Sequence, residues 1–294
     1  MIKNLIVSSA DDKYSSLLEE LYQSTLKLVN YDFAILDCGL RESSLKKYKE
    51  RGIDIKIPNW EVSLPSYKIR NRNYLKAQFS RFYLHQYFPG YENYFWLDSD
   101  TWINCPETFQ LYLQGVNEKG FAICPQVDRS SPKLLNIKWF FNFPTKINSI
   151  NFKNISKSIS KEMGKKYAGH YTLNAGCFGY SKNFDGLSAI QKNLKQASKK
   201  GRIFGSDQVA LALSAFEDNL EFELLPSYCN WICEHHMPKF CESRRVFVEP
   251  YVPHHSIALM HLAGLDAERQ NKNINHEIIT LSGNKIKKSL RYES

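Results

Sequence analysis

Residues 94–103 read YFWLDSDTWI. An apolar run leads into Asp98, and a second carboxylate follows at Asp100. Leaving a lone buried carboxylate ionised is costly, so two acids at the end of a core strand call for a cation, a hydrogen-bond network or water. In an extended chain, residues two apart point the same way. Asp98 and Asp100 can therefore converge on one divalent ion while Ser99 faces elsewhere. The competing reading is a strand that simply runs out into a polar turn.

Upstream of this stretch, strand and helix signals alternate. NLIVSS (4–9) reads as an opening strand, and YSSLLEELYQSTLKLV (14–29) repeats its apolar residues at helical spacing. FAILDC (33–38) is a second strand, LKKYKE (45–50) a short polar helix, and IDIKI (53–57) a third strand stopped by Pro58. NYLKAQFSRFYLHQYF (73–88) reads as an amphipathic helix closed by Pro89-Gly90. This rhythm implies an α/β fold with a parallel sheet and helices on both faces. Ligands in such sheets sit beyond the carboxyl ends of strands, where both SSADD (8–12) and LDSD (97–100) fall.

Downstream, residues 130–166 are rich in Lys, Asn and Ser and have little periodicity, so they are expected to form a variable excursion near the site. AGCFGYS (175–181) restores a strand, GLSAIQKNLKQ (186–196) and DQVALALSAF (207–216) read as helices, and LEFELL (220–225) as a strand. VPHHSIALMHLAG (252–264) supplies a late apolar strand. No repeat or linker interrupts the chain. One domain over residues 1–281 is expected, followed by a basic C-terminal tail, 282–294.

A hydrophobic share of 43% in 294 residues excludes a disordered chain, and a formal charge of +9 favours an acidic partner. Seven cysteines, an odd number and scattered, argue against a disulfide framework and for a reducing compartment. The N-terminus lacks a secretory apolar region and no window approaches a membrane span, so a cytoplasmic location is expected. The lysines of 133–166 and of the tail lack any nucleic-acid recognition element, so no nucleic acid is expected. A basic tail suits peripheral contact with an anionic membrane surface, with a plain solvated face as the alternative. Cys229, Cys233, His235, His236 and Cys241 lie close in sequence, but without the paired spacing of a zinc site.

Seven short motifs occur in one order: SADDKY (9–14), LDCGL (36–40), SRFYL (80–84), LDSD (97–100), LNAGCFGY (173–180), SDQVAL (206–211) and MHLAG (260–264). Together they resemble a GT-A glycosyltransferase of the family 8 type, close in pattern to bacterial lipooligosaccharide galactosyltransferases. The resemblance runs from about residue 2 to residue 264. It implies that Asp98, Asp100 and His261 hold Mn²⁺ (or Mg²⁺) against the diphosphate of a UDP-sugar, and that a hexose passes, with retention, to a glycan or glycolipid acceptor. Oxygen ligands with one imidazole suit such an ion, which neutralises charge on the departing diphosphate.

By the same resemblance, Ser9, Asp11, Tyr14, Ser99 and Gly264 serve the nucleotide. Arg81, Asp128, Asn174, Ala175 and Gly176 serve the sugar, while Asp207 and Gln208 flank the reacting carbon. The pattern is broken at two places. Lys13 stands where the family often has Asn, and Ala267 stands where a lysine usually touches the diphosphate, leaving Arg269 and Lys272 as nearby cations. The acids also fit a nucleotidyltransferase or phosphoesterase, and the missing lysine fits a binding protein that has lost its chemistry.

Overall fold

The structure is a computed structural model describing residues 3–127, 129–131 and 134–293. The central sheet has seven strands: β1 (Asn4–Ala10), β2 (Tyr31–Asp37), β3 (Asp54–Lys56), β4 (Asn93–Leu97), β5 (Phe121–Pro125), β6 (Leu173–Ser181) and β7 (Glu223–Leu224). Their spatial order is β7-β5-β6-β4-β1-β2-β3. β1 pairs in parallel with β2 and β4, β2 with β3, and β7 with β5. β6 runs antiparallel to both β4 and β5. Six strands thus share one direction and β6 alone is reversed, giving the mainly parallel α/β sheet expected from the sequence.

Both faces of the sheet are covered. Leu5 and Val7 of β1 pack into one apolar cluster with Tyr94 and Trp96, while Ile6 packs on the other side with Phe95 and Leu97. Burial on both faces explains why these strands read as near-continuous apolar runs. The reversal of β6 has a direct consequence for the site. Its N-terminal residues Asn174–Gly176 lie at the same edge as the carboxyl end of β4, and Asp98 N–H donates to Gly176 C=O (2.8 Å).

A second sheet brings in the distant histidine. Thr101–Ile103 runs antiparallel to Leu259–His261, which pairs in parallel with Trp231–Ile232. His261 lies in register with Thr101, so it sits beside Asp100.

Two local expectations differ. Residues 73–88 do not form one helix: a 3-10 turn Asn73–Lys76 passes into Ala77–Ser80, and Leu84–Tyr87 follows after a break. Phe82 and Leu84 are both fully buried, and a spacing of two cannot keep both on one helical face. Residues 282–293 of the expected basic tail pack into the folded body. Lys285–Ser289 forms a hairpin with Asn275–Ile279, and buried Arg291 ion-pairs with Glu20 (2.6 Å) and donates to the carbonyls of Glu268 and Arg269. A guanidinium needs such partners once it leaves water. Lys285 pairs with Glu277 and Lys288 with Glu293. Residues 126–172 leave the sheet after β5 and return at β6, carrying a hairpin (Asn136–Phe140 with Phe143–Asn148) and the helices Ile150–Ser158 and Lys161–Lys166. Among the described residues, no helix is long and apolar enough to cross a membrane.

Candidate metal and diphosphate site

β4 delivers its acids in steps. Trp96 and Asp98 lie two apart on one side, and the indole Nε1 donates to Asp98 Oδ1 (2.8 Å). Arg81, at the break after Ala77–Ser80, donates from Nη2 to the same oxygen (3.2 Å) and stacks over the Trp96 ring at 4.7 Å. Its Nη1 reaches Asp207 Oδ2 (3.0 Å) and Ala175 C=O (2.7 Å), and its Nε donates to Ala77 C=O (3.1 Å). The buried guanidinium therefore ties together three chain segments around Asp98.

Asp100 is divided between Arg269 and His261. Oδ2 accepts from Arg269 Nη1 (3.0 Å), and Oδ1 faces His261 Nε2 at 3.5 Å. His261 Nδ1 meets Asn230 Oδ1 (2.9 Å), and an N–H donated there leaves Nε2 as the ligand atom. Burial pushes the Asp98 carboxyl up, with Arg81 opposing. Burial works against the Asp100 carboxylate too, but His261 and Arg269 outweigh it and hold its carboxyl below the ordinary value. Burial disfavours the His261 cation, yet Asp100 raises its pKa overall.

Each carboxylate thus has one oxygen fixed by indole or guanidinium donors, while Asp100 Oδ1 faces His261 and Asp98 Oδ2 lies at a small gap beside it. The gap is kept open by a glycine: a Cβ on Gly176 would fall 2.6 Å from His261 Cε1 and 2.9 Å from Asp98 Oδ2. Ligand atoms of Asp98, Asp100 and His261 lie within 4.8 Å of one another, and they form the one such His/Cys/Asp/Glu group among the described residues. Two oxygens, one imidazole nitrogen and a space reserved between them fit a divalent ion.

Beside this group opens a cleft of about 440 Å³, lined by Ser9, Asp11 and Tyr14 from the turn after β1, by Arg81, by Asp98 to Asp100, and by Arg269. Asp11 caps that turn by accepting from Tyr14 N–H (3.3 Å). The Arg269 guanidinium lies 5.8 Å over the Tyr14 ring. Ala267 and Arg269 share the short helix Asp266–Gln270, so a cation from this helix does reach the acids.

No protein-family profile matches the sequence, and no curated protein matches it at a significant level. Solved structures of similar form include an active-site mutant of LgtC, at 14% identity over 88% of this chain and 87% of that chain, with TM-score 0.49. They also include mouse xyloside xylosyltransferase 1, at 13% identity, 88% and 97% coverage and TM-score 0.48. A CMP:2-keto-3-deoxy-manno-octonic acid synthetase is a third, at 11% identity, 76% and 89% coverage and TM-score 0.45. The chemistry rests on this chain's own residues.

The remaining candidates surround the same edge. Asn174 Oδ1 accepts from Gly176 N–H (2.8 Å). Asp207 is buried, with Oδ1 accepting from Gln208 N–H (2.8 Å) and Oδ2 held by Arg81. Burial raises its pKa against the pull of Arg81. Gln208 Oε1 accepts from Asn154 (3.4 Å). Gly264 has φ +83°, and a Cβ there would collide with the Glu234 carboxylate. Asp128 lies outside the described residues. Cys229 and Cys233 are buried in apolar clusters, as befits core cysteines.

Sequence reasoning missed Trp96 and Asn230. The first was within reach, since residue i−2 of a strand shares the face of Asp98. Asn230 gave no signal, because its partner lies 31 residues away in sequence.

Proposed function

We propose that the protein is a divalent-metal-dependent glycosyltransferase of the GT-A kind, moving a hexose from a nucleotide-sugar, UDP-hexose in first place, to a hydroxyl on a glycan or glycolipid. The observation that carries this reading is the convergence of Asp98, Asp100 and His261, whose ligand atoms lie within 4.8 Å of one another, with Gly176 leaving space beside Asp98 Oδ2 and the His261 ring. An ion held there, Mn²⁺ or Mg²⁺, would neutralise the charge that gathers on a departing diphosphate.

The chain's own groups divide the rest of the work. Tyr14 offers a face for the base, Asp11 an acceptor for its edge, and Ser9 and Ser99 line the same side of the cleft. Arg269 adds a fixed positive charge at the phosphate end, the role left vacant by Ala267. Asn174, Ala175 and Gly176 form the sugar side, with Arg81 beneath them. In transfer, the bond from the sugar C1 to the diphosphate oxygen breaks and a bond from the acceptor oxygen to C1 forms. The acceptor proton leaves with the diphosphate.

Both oxygens of Asp207 are occupied, by Arg81 and by the first turn of its own helix. That arrangement suits a fixed negative charge beside an oxocarbenium-like carbon better than a nucleophile. Gln208 adjoins it. Retention by attack on the leaving-group face agrees with this division.

Incubation with a panel of UDP-hexoses and Mn²⁺, followed by NMR of the released or transferred sugar, tests the reading. Metal-dependent release or transfer with retained configuration is expected. Consumption of a nucleoside triphosphate with a sugar phosphate instead would assign a nucleotidyltransferase. UDP-sugar binding with no turnover would assign a binding protein.

A further inference from the structure

The hairpin Asn136–Phe140/Phe143–Asn148 carries apolar side chains where a solvent-facing hairpin ordinarily carries polar ones. Trp139, Phe140, Phe141 and Phe143 are 61%, 64%, 84% and 73% exposed. Almost every residue of both strands is exposed, so the hairpin stands off the body with neither face covered. Four neighbouring aromatics in water form the kind of patch that marks an interaction site.

The turn is built to hold an aromatic at its tip. Phe140 pairs with Phe143, and Phe141 between them adopts φ +50°. A bulky side chain rarely enters that region, where Asn or Gly is the usual occupant of a tight hairpin turn. The Phe140 and Phe141 rings pack edge to face at 4.9 Å. Local strain retained at an exposed tip points to a use for the side chain there.

Charge identifies the partner. Behind the tip, Lys138 and Lys146 sit opposite each other in the ladder. Residues 129–166 hold eight lysines and one arginine against a single acid, Glu162. Arg129 and Lys166 are paired with Glu249 and Glu217, but Lys138, Lys146, Lys153 and Lys157 make no ion pair among the described residues. Aromatic side chains at the leading end with a collar of free lysines behind match the layering of an anionic bilayer, whose apolar region lies beneath its charged headgroups. The C-terminal segment is a poorer candidate, since Lys285, Lys288 and Arg291 are each taken by a glutamate.

We propose that this hairpin inserts its aromatic tip into an anionic phospholipid surface and anchors the protein there peripherally. The inserted segment leaves and rejoins the sheet at the edge that carries Asp98 and Asn174, where Gln126 N–H donates to Thr172 C=O (2.7 Å). Membrane binding itself is independent of the glycosyltransferase reading; only the supply of a lipid-linked acceptor to that edge rests on it.

The test is co-sedimentation of the full chain with vesicles of phosphatidylcholine alone and of phosphatidylcholine with phosphatidylglycerol, at low and high salt. Partition onto the anionic vesicles is expected, weakened by salt and accompanied by a blue shift of tryptophan emission that Trp139→Phe removes. The combined variant Trp139→Ser, Phe140→Ser, Phe141→Ser, Phe143→Ser should lower the bound fraction about tenfold or more with an unchanged thermal transition. Lys138→Gln with Lys146→Gln should lower it severalfold on anionic vesicles only, and Lys285→Gln with Lys287→Gln should leave it unchanged. No partition of the unmodified protein at low salt would overturn the proposal. So would partition that survives the serine variant or follows the C-terminal lysines. Concentration-dependent dimerisation abolished by the serine variant, without vesicle binding, would assign the patch to self-association instead.

Discussion

At the carboxyl edge of the sheet, the acids that gather are each matched to a cation: Asp98 and Asp207 to Arg81, and Asp100 to Arg269, with His261 beside it. In the hairpin of residues 136–148 the situation is reversed. Its aromatics lie exposed, with Phe140 and Phe141 packed on each other, and its lysines make no ion pair among the described residues. The first region is polar chemistry buried in a rigid frame, with its charged groups already fixed in place. The second is apolar surface held out from that frame. Preorganised polar groups of the first kind suit catalysis, because they need no rearrangement when charge develops. Uncovered apolar groups of the second kind suit a partner that supplies its own apolar phase.

If the two regions differ as described, substitutions in them should fail in different ways. The largest effect is expected at the acids. Asp98→Asn or Asp100→Asn should lower metal-dependent sugar transfer by about 10²–10³-fold or more while the far-UV circular dichroism stays unchanged. Full activity in either variant would remove them from the metal site. Next is Arg81→Ala, which leaves the Asp98 and Asp207 carboxylates without their shared cation. A loss of about 3–5 kcal/mol is expected in urea denaturation, as for other broken buried pairs. A loss below about 1 kcal/mol would show that the acids are satisfied by other means.

Smaller effects fall on the groups that shape the gap. Asn230→Ala frees the His261 ring, and Mn²⁺ affinity measured by calorimetry should drop about 10–100-fold. Gly176→Ala places a methyl against His261 and Asp98 and should weaken Mn²⁺ binding by a similar factor, with the sheet intact. The smallest effect belongs to the other region: the four-serine hairpin variant should shift unfolding free energy by no more than about 0.5 kcal/mol. A large destabilisation there would mean that the aromatics pack on the body after all, and the contrast between the regions would fail.

Much of the first region could be read in the sequence. The strands β1, β2 and β4 are marked by apolar runs, and Asp98 and Asp100 follow directly on the last of these, in a turn closed by Thr101 N–H on Asp98 C=O rather than in an extended strand. The metal role proposed for His261 rests on the motif order, because its approach to Asp100 depends on antiparallel pairing with Thr101, more than 150 residues earlier in the chain. Such long-range register leaves no local trace. The same holds for Arg291, which reads as one more basic residue of a tail until Glu20 is brought beside it. The break after Ser80 was hidden by an apolar pattern that a helix could nearly satisfy. The hairpin was hidden for the opposite reason: its aromatics resemble core residues in sequence, and only exposure tells them apart.

The most direct test of the metal and diphosphate site is calorimetric titration of UDP into the protein with and without Mn²⁺, repeated with Asp100→Asn. Binding that requires Mn²⁺ and disappears in the variant is expected. Equal binding of UDP with and without the metal, or unchanged metal dependence in the variant, would contradict the assignment of Asp98, Asp100 and His261.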